Sequence, residues 1–315
     1  MSEFSGPQFA YLVISLAFFG VGLILNVCVL VASFKSKLFE TRNAILIGNL
    51  AGCEFVLSLC MMPVLLTNAA QSQWTGGHSV CDFQGFVLVT LSCETVLLLS
   101  AIAADRFLVI VKGVPGQQLK SPFAGVVVGT WLFSLVVGLL PVASRGQAHS
   151  AGTYVQQPAT FYCSADWTKP GWAAGALIVV GVCCCVIAIS YLRIWHYHHK
   201  TITSVASHVR PTVKRENRVS RKMLILICSF VLCWVPYVVR VIVAASAPEE
   251  VSVLFDGIAF LFLSFNVLLN PLIYVLLDTR YRYHFAVMCR LTDSECCMQC
   301  CAAIGGSTFQ TPRSK

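Results

Sequence analysis

Residues 251–277 read VSVLFDGIAFLFLSFNVLLNPLIYVLL. Asp256 is the only formally charged side chain among them. A helix that crosses lipid needs about 20 mainly apolar residues, and this run supplies them. Pro271 removes a backbone N–H in the middle of the run, and Asn270 beside it is polar. Lipid tolerates such breaks only where neighbouring helices re-satisfy the backbone. The stretch therefore predicts a membrane span inside a helical bundle.

Six further runs lie upstream: Phe9–Phe34, Asn43–Ala70, Cys81–Val111, Pro122–Ser144, Gly171–Leu192 and Met223–Ala247. The charges within them are few: Glu54, then Asp82, Glu94 and the Asp105-Arg106 pair, and finally Arg240. The whole chain is 57% hydrophobic and 11% charged, against about a quarter charged in a soluble domain. The expected fold is an all-α membrane protein of seven transmembrane helices. Residues 1–8 form a short outer N-terminus, 9–277 the bundle, 278–290 a short amphipathic eighth helix and 291–315 an inner tail. Tyr281, Phe285 and Met288 recur at helical spacing opposite Arg280, Arg282 and His284, which places this helix on the membrane surface. No cleaved leader is expected, because Met1–Gln8 lacks a basic region and the first run is too long.

Basic residues set the orientation. With the N-terminus outside, 19 of the 22 Lys and Arg fall on inner segments. Only Arg145, Lys169 and Arg240 stay outside or near the outer edge. The formal charge of +8 is thus an inner face beside anionic membrane lipid, and nucleic acid is excluded as a partner. The expected location is the plasma membrane, multi-pass, with the N-terminus extracellular.

Sixteen cysteines occur. Most sit in apolar runs, where a thiol is a small buried hydrophobe. Cys81 and Cys163 alone fall on the oxidising outer side, and they are expected to pair. The tail holds Cys289, Cys296, Cys297, Cys300 and Cys301. Acylation of Cys289, Cys296 or Cys297 is the expectation. An inert cluster and a metal site are the alternatives, the latter without any following His.

Short motifs narrow the class. Asp105-Arg106-Phe107 ends the third run. Phe230 precedes Cys233-Trp234-Val235-Pro236 in the sixth, and Asn270-Pro271-Leu272-Ile273-Tyr274 lies in the seventh. Asn26, Asn49-Leu50-Ala51, Trp74, Trp131 and Tyr191 stand on the others in order. Over about residues 10 to 290 this pattern resembles the rhodopsin-like G-protein-coupled receptors. The resemblance implies a receptor that binds a small molecule or lipid outside and activates a heterotrimeric G protein. It implies a switch in which Asp105, Arg106 and Glu216 hold the third and sixth spans together, with Tyr191 and Tyr274 bridging after opening. Phe230, Trp234 and Pro236 form the hinge of the sixth span, and Asn270 and Pro271 that of the seventh. Asn26, Glu54, Thr95, Asn266 and Asn270 make a polar core; a plain network and a sodium site are both open there. No cofactor beyond that ion is expected.

The resemblance also excludes ligands. Opsins carry a retinal-binding Lys where this chain has Ser264, so covalent retinal is not expected. Amine receptors carry an Asp where this chain has Leu88. The remaining pocket expectation is Gln84, Leu88, Ser92, Trp167, Tyr237, Arg240, Asp256, Phe260 and Ser264, mostly apolar with few polar anchors. Arg240 either pairs with Asp256 or anchors an acid. Glu94 has no assigned role. A receptor-fold protein that signals without agonist, or scaffolds partners, is the competing reading. An enzyme is not expected: no metal-protease, serine-hydrolase or paired-carboxylate pattern occurs, and no inverted repeat of a transporter.

Overall fold

The computed structural model describes residues 6–35, 41–71, 73–74, 76–115, 121–143, 153–157, 162–204, 211–247 and 251–288. In lipid every backbone N–H must bond within its own segment, so long apolar runs become helices. They are α1 (Gly6–Lys35), α2 (Arg42–Gln71), α3 (Gly77–Ile110), α4 (Ser121–Ala143), α5 (Pro170–Ser204), α6 (Pro211–Ser246) and α7 (Val253–Leu277). All seven are long and apolar enough to cross a membrane. A two-stranded hairpin, β1 (Tyr154–Gln156) and β2 (Cys163–Ala165), lies between α4 and α5, and α8 (Thr279–Met288) follows α7. The chain is a multi-pass membrane protein.

α5 and α6 run well past the apolar segments that announce them. Hydropathy marks only the part of a helix in lipid, and these polar turns continue beyond it. Pro170 and Pro211 open the two helices, at the one position where the missing N–H is not needed. Ser252 caps α7 by accepting from the Phe255 N–H at 3.2 Å.

α3 is the axis of the bundle and the most buried helix, while α4 and α5 expose most of their surface. α1 packs on α2 and α7, α2 on α3, α3 on α4 and α5, and α6 on α7. Side-chain amides tie the helices at depth. Asn26 Nδ2 donates to the carbonyl of Val267 at 3.2 Å, joining α1 to α7. Trp131 Nε1 donates to Asn49 Oδ1 at 3.1 Å, joining α4 to α2. Gly138 lets α4 close on α3: a Cβ there would lie 2.0 Å from Thr90 Oγ1. α8 turns back onto α1 and α7, with Tyr281 buried and its hydroxyl 3.2 Å from Ser33 Oγ. Phe285 is half-buried there; the Met288 side chain lies outside the described residues.

The hairpin is antiparallel, with Tyr154 opposite Ala165 and Gln156 opposite Cys163. Cys81 near the N-terminal end of α3 forms the disulfide with Cys163. Gln84, one turn deeper, accepts from the Cys163 N–H at 2.7 Å. Tyr154 donates to the carbonyl of Gly138 at 2.6 Å. The hairpin is thereby fixed across the mouth of the bundle at the N-terminal end of α3.

Candidate functional site

The roof of the bundle is polar and closed. Arg240 of α6 donates from Nε to Asp256 Oδ1 of α7 at 2.8 Å. Its Nη2 donates to Gln157 Oε1, beside β1. Gln157 in turn donates to Ser164 Oγ at 2.9 Å. All four side chains are buried. Arg240 and Asp256 are therefore paired with each other. Tyr162, fully buried, stacks on Phe260 with ring centroids 4.2 Å apart. That ring fills the α7 side of the mouth. Ser264 beneath it donates to the carbonyl of Phe260 at 2.8 Å.

Under the roof lies a chamber of about 380 Å³ between α3, α4, α5 and α6. Leu88, Ser92, Cys93 and Val96 face it from α3, Phe133 and Val136 from α4, and Gly175 and Val179 from α5. Trp234, Tyr237 and Leu263 close the far side, and Trp167 and Trp172 the top. Trp167 Nε1 donates to the Tyr237 hydroxyl at 3.1 Å. Among the described residues lining it none is charged. Of the residues expected from the sequence, Leu88, Ser92, Trp167 and Tyr237 line the chamber. Gln84, Arg240, Asp256, Phe260 and Ser264 stand in the roof or beside it. Sequence reasoning missed Tyr162 and Gln157. Adjacency to Cys163 was the available signal for Tyr162, since a residue next to a cross-linked cysteine is held at the mouth.

Trp234 is the chamber's floor. Its ring stacks on Phe230 at 5.2 Å and meets Tyr237 edge-on at 5.9 Å. Pro236, two residues on, interrupts the backbone ladder of α6.

Below Trp234 is a polar centre. Glu54 Oε1 accepts from Asn266 Nδ2 at 3.2 Å and from Asn270 Nδ2 at 3.1 Å. Glu54 Oε2, Asn266 Oδ1 and Asn270 Oδ1 are buried without a hydrogen-bond partner. Oxygen acceptors left over at one depth are what a hard cation takes, so the residues present fit a sodium ion. Thr95 is buried on α3; Asn26 is spent on the α1–α7 link instead. Glu94 occupies a separate place: it accepts from Thr130 and Ser134 of α4, each at 2.9 Å, and joins α3 to α4.

At the opposite end of the bundle, near the C-terminus of α3, Asp105 is shared. It accepts from Arg42 Nε at 2.7 Å, and its other oxygen pairs with Arg106. Arg42, at the start of α2, also sits 6.0 Å over the Phe123 ring. Glu216 belongs to α6, but its side chain lies outside the described residues, as do Cys289, Cys296 and Cys297. Tyr191 and Tyr274 both bury their hydroxyls, and among the described residues no direct hydrogen bond joins them. Lys222 of α6 reaches Asp278, after α7, at 3.4 Å.

Comparison with known proteins finds the same fold elsewhere. The model of the 7 transmembrane receptor (rhodopsin family) matches residues 25–274. Human melanopsin is 26% identical over 84% of this chain and 58% of its own length. The red-sensitive opsin of Psalidodon fasciatus is 28% identical over 82% of this chain and 73% of its own length. The chain spans little more than half of the melanopsins it matches. In fold it is similar to squid rhodopsin, with a TM-score of 0.80 at 19% identity, covering 98% of this chain and 94% of that one.

Proposed function

The chain belongs to the rhodopsin family of seven-transmembrane receptors, and on that premise we propose that it binds a small molecule or lipid and activates a heterotrimeric G protein. The observation that carries this reading is the contact between chamber and hinge. Trp234 is both the floor of the apolar chamber and a neighbour of Pro236. A ligand in the chamber presses on the residue beside the break in α6. It thereby biases one of two packings of that helix, which is what an agonist must do.

At the inner end Asp105 and Arg106 form the part that such a shift releases. Outward movement of α6 would uncover the inner face for the G protein. A sodium ion on Glu54, Asn266 and Asn270 would be held by the leftover oxygens and would favour the closed packing. The relatives' names bring in light reception, but residues 251–277 contain no lysine, so retinal has no amine to join there. The plasma membrane, with the N-terminus outside, is the proposed location. The second reading, signalling without a diffusible agonist, rests on the closed roof.

The test is agonist-free G-protein activation in cells at matched surface expression. Arg106→Ala is expected to abolish the signal and Glu216→Ala to raise it. Unchanged signal in both would leave a receptor fold without the activity.

A further inference from the structure

The chamber is closed above and open sideways. Above it the disulfide, the Gln84 clamp, the Arg240–Asp256–Gln157 knot and the buried Tyr162 and Trp167 occupy the outer mouth. Sideways there is no such wall. α4 and α5 each pack on α3 but scarcely touch one another among the described residues. The chamber residues that face this gap are half-exposed: Phe133 at 45%, Val136 at 58% and Leu140 at 44%. Across the gap stands Gly175, whose missing side chain leaves open space: a Cβ there would meet nothing within 4 Å. In a membrane that opening gives onto acyl chains, not water.

The interior carries a second signal. Trp172 and Trp234 line the chamber, and the Nε1 of each is buried without a hydrogen-bond partner. A buried donor left unmade costs about 1–3 kcal/mol, so both positions favour a guest with an acceptor oxygen. Among the described residues no charged group lines the chamber to balance an ionised headgroup.

We propose that the chamber is loaded from the bilayer through the gap between α4 and α5, by a neutral lipid with one apolar chain and an ester or hydroxyl oxygen. This rests on the reading of the chamber as the ligand site. The chain occupies the space between Phe133 and Val179, and its oxygen accepts from one indole, that of Trp172 at the top. An anion is refused for lack of a cation, and a plain alkane for lack of an acceptor.

The experiment uses the full chain in phosphatidylcholine vesicles and a monooleoylglycerol carrying a photoreactive diazirine in its tail. Labelling is expected on residues 133–140 and 175–180, competed by unlabelled monooleoylglycerol but not by oleate or hexadecane. Gly175→Trp places an indole in the gap and is expected to slow labelling about tenfold, the low end for bulk added in an apolar pocket. Val136→Trp should do the same from the α4 side. Gly181→Trp, on the same helix but outside the chamber, should leave the rate unchanged. Equal rates in all three variants, equal competition by hexadecane, or no labelling of the chamber overturns the proposal. G-protein turnover in the same vesicles separates the two ideas. Port-dependent labelling with no turnover under any ligand sinks the receptor reading alone; turnover with labelling indifferent to Gly175→Trp and Val136→Trp sinks the port alone.

Discussion

Asp105 has two guanidinium partners on two helices, and this sets an order of costs. Arg42→Ala leaves Asp105 paired with Arg106, so the loss is one charge-assisted hydrogen bond, about 1.5–3 kcal/mol. Asp105→Asn removes the shared anion from two buried guanidiniums at once, and the expected loss is about 3–5 kcal/mol. Thermal unfolding of the detergent-solubilised protein should rank them in that order; the reverse ranking would mean that Arg42 acts through contacts other than Asp105, such as the Phe123 ring. Glu54→Gln removes the anion from the polar centre. Raising sodium should weaken agonist-driven G-protein activation in the native chain and have little effect in this variant. Equal sodium response in both would remove the ion from that site. Asp105 and Glu54 were legible in the sequence because a carboxylate at membrane depth demands a reason. Arg42 was not, because a cation beside an apolar run reads as an interfacial charge. Only the packing of α2 on α3 turns it inward. The Arg240–Asp256 pair was one of two readings open in the sequence; it is seen in their 2.8 Å contact, beside Gln157, which no spacing rule connects to either.

At the scale of elements, the hairpin is the part most dependent on cross-links. Cys81 and Cys163 are 82 residues apart, and closing a loop of that length is worth roughly 4–5 kcal/mol in the chain-entropy model. Cys163→Ser should therefore lower the unfolding temperature well below that of Gln84→Leu, which removes one acceptor at about 1–3 kcal/mol. Comparable melting of the two variants would show that the hairpin is held by its packing alone. Gly138→Val should push α4 from α3 and cost about 1–3 kcal/mol, since the added atoms meet Thr90. Five of the seven helices were readable to within a few residues, because apolar length is a local property; α5 and α6 were not, because their polar turns continue about a dozen residues past the apolar runs. The hairpin was not: β1 and β2 are three residues each, and their pairing follows from a disulfide that lies outside any window of periodicity. The closing of the α7 side of the mouth by Tyr162 is a consequence of that same pairing, which is why the expected pocket and the observed chamber coincide only on α3, α6 and Trp167.

For the whole molecule the distribution of Lys and Arg makes an orientation prediction. A peptide tag before Met1 should bind antibody on intact cells, and one after Lys315 only after permeabilisation. The opposite staining would invert every statement made above about roof and inner end. Composition was enough to read the number of spans, since it is a sum over many residues; their direction is what the tags test. The chamber's open flank was out of reach of the sequence, because it depends on which pair of helices fails to meet.

The knot of Arg240, Asp256 and Gln157 clamps the outer end of α6 to its surroundings, as a beam is clamped at one support. Pro236 lies only four residues from that clamp, while the beam runs on to Val219 and beyond. From Pro236 to Val219 is about 25 Å at 1.5 Å per residue, so a bend of about 10° moves the free end by about 4 Å. The same bend moves Arg240 by less than about 1.5 Å, within the play of a side chain. The helix therefore has mechanical advantage built in: a small displacement near Trp234 is magnified at the far end, and the ratio is fixed by where the proline sits between clamp and tip.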